Sequence, residues 1–214
     1  MGCVFPVIML ILLVPVLLLV FYFHIATFSF TKLGLSPEAA LWLLILVLIG
    51  GMINIPVSRE RFVVGDPPRA EVFPFLYYLP PQIQERVIAV NVGGAVIPTL
   101  LSLYLLGRAP LLPAVVATGI VTFVAYKLAR PVPGVGIALP AFIPPIVAAL
   151  LALLLAPQNA APVAYIAGVW GTLIGADLLN LPRFRQLGAN VLSIGGAGVF
   201  DGIFLVGIVA ALLA

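Results

Sequence analysis

Apolar residues in this chain run in long blocks, separated by short stretches that hold most of the charges and turn residues. A membrane-crossing helix needs about 20 mostly apolar residues. Seven blocks qualify, at 3–25, 38–57, 87–107, 110–128, 135–156, 160–181 and 188–214. The pattern predicts an all-α, polytopic membrane helix bundle, a single integral membrane domain over residues 1–214. Most prolines fall at block ends: Pro37 follows Ser36 as a helix start, and Pro110, Pro131, Pro157 and Pro182 punctuate others. Pro98, Pro140, Pro144 and Pro145 are internal, so the third and fifth spans are expected to be kinked or broken.

Composition strengthens this picture. Hydrophobic residues make up 64% of the 214 and charged residues 8%, with a mean hydropathy of +1.29, more apolar surface than a soluble core needs. The expected surroundings are therefore a lipid bilayer. A net charge of +3 without a basic run argues against nucleic acid as a partner. One cysteine, Cys3, excludes an intrachain disulfide. Met1-Gly2-Cys3 resembles the start of a lipidation signal, but Pro6 stands where that pattern wants Ser or Thr. The first residues carry no Lys or Arg, so the first block is read as a retained helix and not as a signal peptide. With His24 the single histidine and no cysteine pair, no metal site or cofactor is expected.

Seven spans set Arg59, Arg61, Arg69, Arg86, Lys127, Arg130, Arg183 and Arg185 on one side, against Lys32 and Arg108 on the other. The positive-inside rule then gives a cytoplasmic N-terminus and an outside C-terminus. The one long connection, 58–86, interleaves aromatics with prolines from Val72 to Pro81 and is read as an interfacial loop.

An internal repeat is also visible. Gly50–Arg59 matches Ala176–Arg185, with Asn54, Pro56 and Arg59 on Asn180, Pro182 and Arg185. Asn91–Thr99 matches Ser193–Asp201, with Gly93-Gly94 on Gly195-Gly196. The first copy carries 24 more residues between its two blocks. The copies, 38–107 and 160–214, would be spans 2–3 and 6–7 in a parallel repeat. Asp177 and Asp201 replace Gly51 and Thr99, so both acids belong to the second copy.

These are the two acids in the interior of the long apolar blocks, Glu38 standing at the first position of its block. An ionisable group in hydrocarbon costs a few kcal/mol or more and seldom sits there without a partner or a task. Asp177 lies five residues before Pro182, about 7–8 Å from the end of its span. A last helix starting at Gly195-Gly196, with 183–194 as an interfacial turn, would set Asp201 about 9 Å deep, a matching level. Two carboxyls a few Å apart cannot both ionise, and such a pair can share a proton and activate water.

The arrangement resembles the GxGD-type intramembrane aspartyl proteases, presenilin, signal peptide peptidase and prepilin peptidase. Gly196-Ala197-Gly198-Val199-Phe200-Asp201 has the glycines, with two residues intervening before the acid, and Leu139-Pro140-Ala141-Phe142 is close to their Pro-Ala-Leu motif but precedes both acids. The resemblance implies catalytic Asp177 and Asp201, with Asn180, Leu139, Pro140, Ala141, Gly196 and Gly198 binding a transmembrane peptide substrate. As a whole the chain looks more like an uncharacterised prokaryotic multi-pass family, which implies no activity.

A second reading takes the same acids with Asn54, Asn91 and Thr99 as the ion or substrate site of a proton- or cation-coupled small transporter or channel, working as an oligomer. A third is a non-catalytic membrane assembly protein whose acids hydrogen-bond between helices. Proximity of Asn91 and Thr99 to Asp201 in a pseudo-symmetric pocket favours transport. Acids that converge while the first copy sits remote favour proteolysis.

Overall fold

Ser36 does start a helix: its hydroxyl accepts a hydrogen bond from the Ala39 amide at 3.2 Å, and Pro37 takes the first position. This helix is α2 (Pro37–Gly51), preceded by α1 (Val4–Lys32). There follow β1 (Asn54–Val64), β2 (Gln82–Asn91), α3 (Ile97–Leu106), α4 (Leu111–Leu128), β3 (Arg130–Val132) and β4 (Gly136–Ala138). The chain ends with α5 (Ile143–Leu155), α6 (Ala160–Thr172), α7 (Leu181–Phe184), β5 (Val191–Ile194) and α8 (Gly202–Leu213). The computed structural model describes residues 4–64, 82–132, 136–184, 191–196 and 202–214.

Three stretches are long and apolar enough to cross a bilayer: Leu13–Lys32, Leu111–Leu128 and Pro157–Asn180. The last is the axis of the fold. Within α6 every residue but Pro162 and Trp170 is buried, and α3, α4, α5 and α8 pack around it. Where solvent is itself apolar, helices associate through close packing of small residues, not through hydrophobic driving force. Gly171 and Gly175 bring α6 and the turn after it onto α4. A Cβ on Gly171 would lie 2.6 Å from Val121 Cβ, and one on Gly175 would lie 2.3 Å from the Thr122 carbonyl oxygen. On another face, Gly168 meets Val206 and Ala210, and Gly207 of α8 lies against the Tyr165 ring.

One end of the bundle is purely helical. There Lys32 Nζ donates to the Leu212 carbonyl at 2.8 Å, and Ser29 Oγ, a turn deeper, donates to that of Ile208 at 2.8 Å. Arg108 donates to the carbonyls of Leu33 and Gly34, while Asn159 donates to the carbonyl of Arg108. Lys32 and Arg108 thus share an end, and Arg59 and Arg130 lie in the strands at the opposite one.

That opposite end departs from the expectation of an all-α chain. β1 and β2 form a long antiparallel hairpin, from Asn54↔Asn91 out to Val64↔Gln82, and β5 joins β2 in parallel, Val87↔Val191 to Val90↔Ile194. β3 and β4 make a second, small hairpin. The physical reason is continuity: Val87–Val90 is an apolar run, and a short apolar run suits a buried strand as well as a helix end. Residues 54–57, expected to close the second span, and 87–91, expected to open the third, are therefore strand. Of the connection 58–86, residues 58–64 and 82–86 are the arms of this hairpin, while its middle, with the aromatic–proline stretch, lies outside the described residues. Residues 191–194 are strand where a turn was expected.

The break expected in the third span is present, with Pro98 just after the π turn Val92–Val96. In the fifth, Pro144 and Pro145 sit in the first turn of α5, where a missing N–H costs nothing. Pro140 precedes α5, which begins at Ile143, eight residues later than the block at 135–156 suggested. Helix geometry breaks at two π turns, Val92–Val96 and Leu173–Asp177.

Gly175→Val should pry α4 from α6 and lower stability by about 1–3 kcal/mol, read as a drop in thermal unfolding temperature in detergent. Gly119→Val, on α4 where an added Cβ meets nothing within 4 Å, should leave it unchanged.

Candidate functional site at the sheet end

Both π turns stand at the sheet end, and each delivers a polar side chain. Asn91 closes β2 and caps the first: its Oδ1 accepts from the Gly94 amide at 2.8 Å. Its Nδ2 donates to the Gly51 carbonyl at 2.8 Å and to Asn54 Oδ1 at 3.1 Å. Asn91 is completely buried, and all three bonds fasten the end of α2 to the start of the third helical segment. Backbone contact there is close, since a Cβ on Gly93 would lie 2.1 Å from the Val47 carbonyl oxygen.

Asp177 ends the second π turn. Its Oδ2 accepts a hydrogen bond from the Gly195 amide at 2.8 Å. Three residues on, Asn180 is buried and its Nδ2 donates to the carbonyls of Gly175 at 2.9 Å and Ala176 at 3.0 Å. The reason is local: a helix that passes from α through π to 3-10 geometry leaves carbonyls off the regular ladder, and a side-chain amide serves them.

β5 joins the two parts. Ser193 Oγ contacts Asn54 Oδ1 at 2.6 Å and the Gly196 carbonyl at 2.5 Å. Gly195 and Gly196 follow with φ of 88° and 82°, a left-handed pair that only glycine adopts without strain. A side chain on Gly195 would also run into Ala95 at 2.6 Å. One continuous polar chain therefore links Asn91, Asn54, Ser193 and the Gly195–Gly196 turn to Asp177. Leu192, the neighbour of Ser193, packs on Ile137 of β4 and Leu181 of α7.

The sequence-derived candidates fall out as follows. Asn54, Asn91, Asp177 and Gly196 gather around β5, while Asn180 is bonded within its own turn to the Gly175 and Ala176 carbonyls. Leu139, Pro140 and Ala141 follow β4 directly, two to four residues beyond Ile137, which touches β5. Thr99 is in the first turn of α3, partly buried, outside the hydrogen-bonded chain. Asp201 and Gly198 lie outside the described residues. Sequence reasoning missed Ser193 and the Gly195 amide as site members. The available signal was a serine two residues before a Gly-Gly pair, at the position that the repeat matches to Asn91.

Among the described residues no group of three or more His, Cys, Asp or Glu side chains could hold a metal ion. The oxygens on offer are carboxylate, amide, hydroxyl and carbonyl, a set suited to protons and hard monovalent cations.

Fold and site together define a mostly helical protein with helices long and apolar enough to cross a membrane, closed at one end by a small sheet that carries a polar cluster. The chain belongs to the family described as "Protein of unknown function (DUF1614)", whose model matches residues 48–213. No curated protein and no solved structure matches it.

Asn91→Ala removes the partners of the Gly94 amide and the Gly51 carbonyl. Each stranded buried group costs about 1–3 kcal/mol, so the variant should unfold at clearly lower temperature, whereas Thr99→Ala, outside the network, should not.

Proposed function

We propose that the chain is an integral membrane protein of a prokaryotic cytoplasmic membrane, and that the Asp177 cluster is the proton or monovalent-cation site of a small coupled transporter or channel. The observation that carries this reading is the hydrogen-bonded chain from Asn91 and Asn54 through Ser193 to the Gly195–Asp177 pair. A simple acid dyad does not need the first copy of the repeat. Here the first copy is bonded to the second through paired strands and side chains. Broken helices meeting at polar, glycine-rich backbone are the usual construction of ion sites in transporters.

Asp177 is the group that would exchange a proton or neutralise a cation. Ionised, it accepts the Gly195 N–H; protonated or cation-bound, it holds that amide less well, and the glycine turn gains freedom. Asn54 Oδ1, Ser193 Oγ and the Gly196 carbonyl supply uncharged oxygens beside it. The first half then contributes Asn91 and Asn54 as positioning groups, with Asp177 as the titrating one.

Purified protein in liposomes, with a pH-sensitive dye inside, tests the proposal. Imposed Na⁺, K⁺ or proton gradients should drive a flux that falls at least about tenfold in Asp177→Asn, the loss expected from removing one essential charge, and less in Ser193→Ala. Wild-type protein that is silent under every gradient would overturn it.

A second reading, intramembrane proteolysis by an Asp177/Asp201 dyad, draws on the Leu139–Ala141 segment, which follows β4, whose Ile137 packs on Leu192 of β5, although it precedes both acids in sequence. Cleavage of a transmembrane peptide in detergent, abolished equally by Asp177→Asn and Asp201→Asn, would select it over transport.

The orientation proposed is N-terminus inside. Its support is the separation of Lys32 and Arg108 from the arginines of the strands. A cysteine replacing Ala214 should react with an impermeant maleimide from outside intact cells, and one replacing Arg59 only after lysis.

A further inference from the structure

Away from the polar cluster, a groove runs between α1 and α2 at the helical end. Phe23, His24, Thr27, Pro37, Glu38 and Leu41 line about 380 Å³ of it. A shallow, open hollow that shares His24 continues along α1, formed by Val14, Leu17, Leu18, Val20 and Phe21 of that one helix. The upper part is thus polar at its rim, and the lower part is hydrocarbon throughout.

Two features specify the occupant. The first is length. From His24 to Val14 the apolar hollow follows ten residues of helix, about 15 Å, which is the thickness of hydrocarbon in one leaflet. An acyl chain fits that run. The second is the hydrogen-bonding sense of the rim. His24 Nδ1 lies 3.0 Å from the Val20 carbonyl oxygen. A carbonyl only accepts, so Nδ1 carries the hydrogen, and in the neutral ring Nε2 is left as an acceptor. Glu38 adds a carboxylate, and no Lys or Arg lines the groove. The nearby cations are engaged elsewhere, Lys32 on the Leu212 carbonyl and Arg108 on those of Leu33 and Gly34. The rim therefore presents acceptors and one negative charge to whatever enters.

We infer that this groove is a binding site for a phospholipid with a primary-ammonium headgroup, its N–H groups donating to Glu38 and His24 and an acyl chain lying along Leu17 and Val14. A trimethylated ammonium has no N–H to donate, and an anionic headgroup is repelled by Glu38. All the lining residues precede residue 48, where the family match begins. The site is an attribute of α1 and α2 and independent of the Asp177 cluster.

The experiment is native mass spectrometry of the full chain released from nanodiscs holding equal phosphatidylethanolamine, phosphatidylcholine and phosphatidylglycerol. The wild type should retain phosphatidylethanolamine over phosphatidylcholine by about fivefold, the scale of one exposed ionic contact. Glu38→Gln should level that preference while the thermal unfolding temperature stays put, because Glu38 is exposed. Leu41→Trp, which fills the groove, should lower retention of every lipid. Equal retention of the three lipids by the wild type, an undiminished preference in Glu38→Gln, or unchanged retention in Leu41→Trp would each overturn the assignment.

Discussion

Every backbone N–H and C=O that leaves water must find a partner inside the protein, and this demand governs the whole molecule. The long helices meet it by their own ladders. Segments that cannot, the strands and the two π turns, collect at one end of the bundle. There the freed groups are met by side chains: Asn91 serves Gly51 and Gly94, Asn180 serves Gly175 and Ala176, and Asp177 serves Gly195. The polar side chains that attract a functional reading are thus, first of all, the ones that make irregular backbone tolerable.

Structural and functional roles need not compete. A carboxylate that completes the hydrogen bonding of a glycine turn is also a group whose charge state governs that turn. The amide and hydroxyl oxygens beside it are already oriented by the strands that carry them. Small residues make this possible at a distance from the site. Gly171, Gly175 and Gly168 let α6 press against α4 and α8, so that the π turn emerges at a fixed place against β5. Packing in the helical part sets the geometry of the polar part.

The helical blocks were legible because residues apolar on all sides leave few alternatives, and Ser36-Pro37 marked a helix start that the structure retains. The sheet was not. Arg59–Arg61 and Pro56 make β1 read as a loop, and the apolar Val87–Val90 of β2 reads as the start of a helix. Asp177 announced itself through the cost of an acid in an apolar block. Its partner did not, because the bond is to a backbone amide, which every residue but proline possesses. Asn54 and Asn91 stood out as matched polar positions, whereas Ser193, which bridges to them, is a residue type too common to notice. Gly171 and Gly175 were lost among the 20 glycines of the chain.

The parallel pairing of β2 with β5 joins Val87 to Val191, positions separated by more than a hundred residues and by α3, α4, α5 and α6. During synthesis, β2 emerges long before its partner exists. That edge of β2 must wait without β5 while α3 to α7 are made, a period in which bare strand edges invite wrong partners. Sheet closure therefore waits until the chain has been made as far as β5, with only α8 still to follow. The polar cluster, which depends on Ser193 and Gly195, comes into being only then.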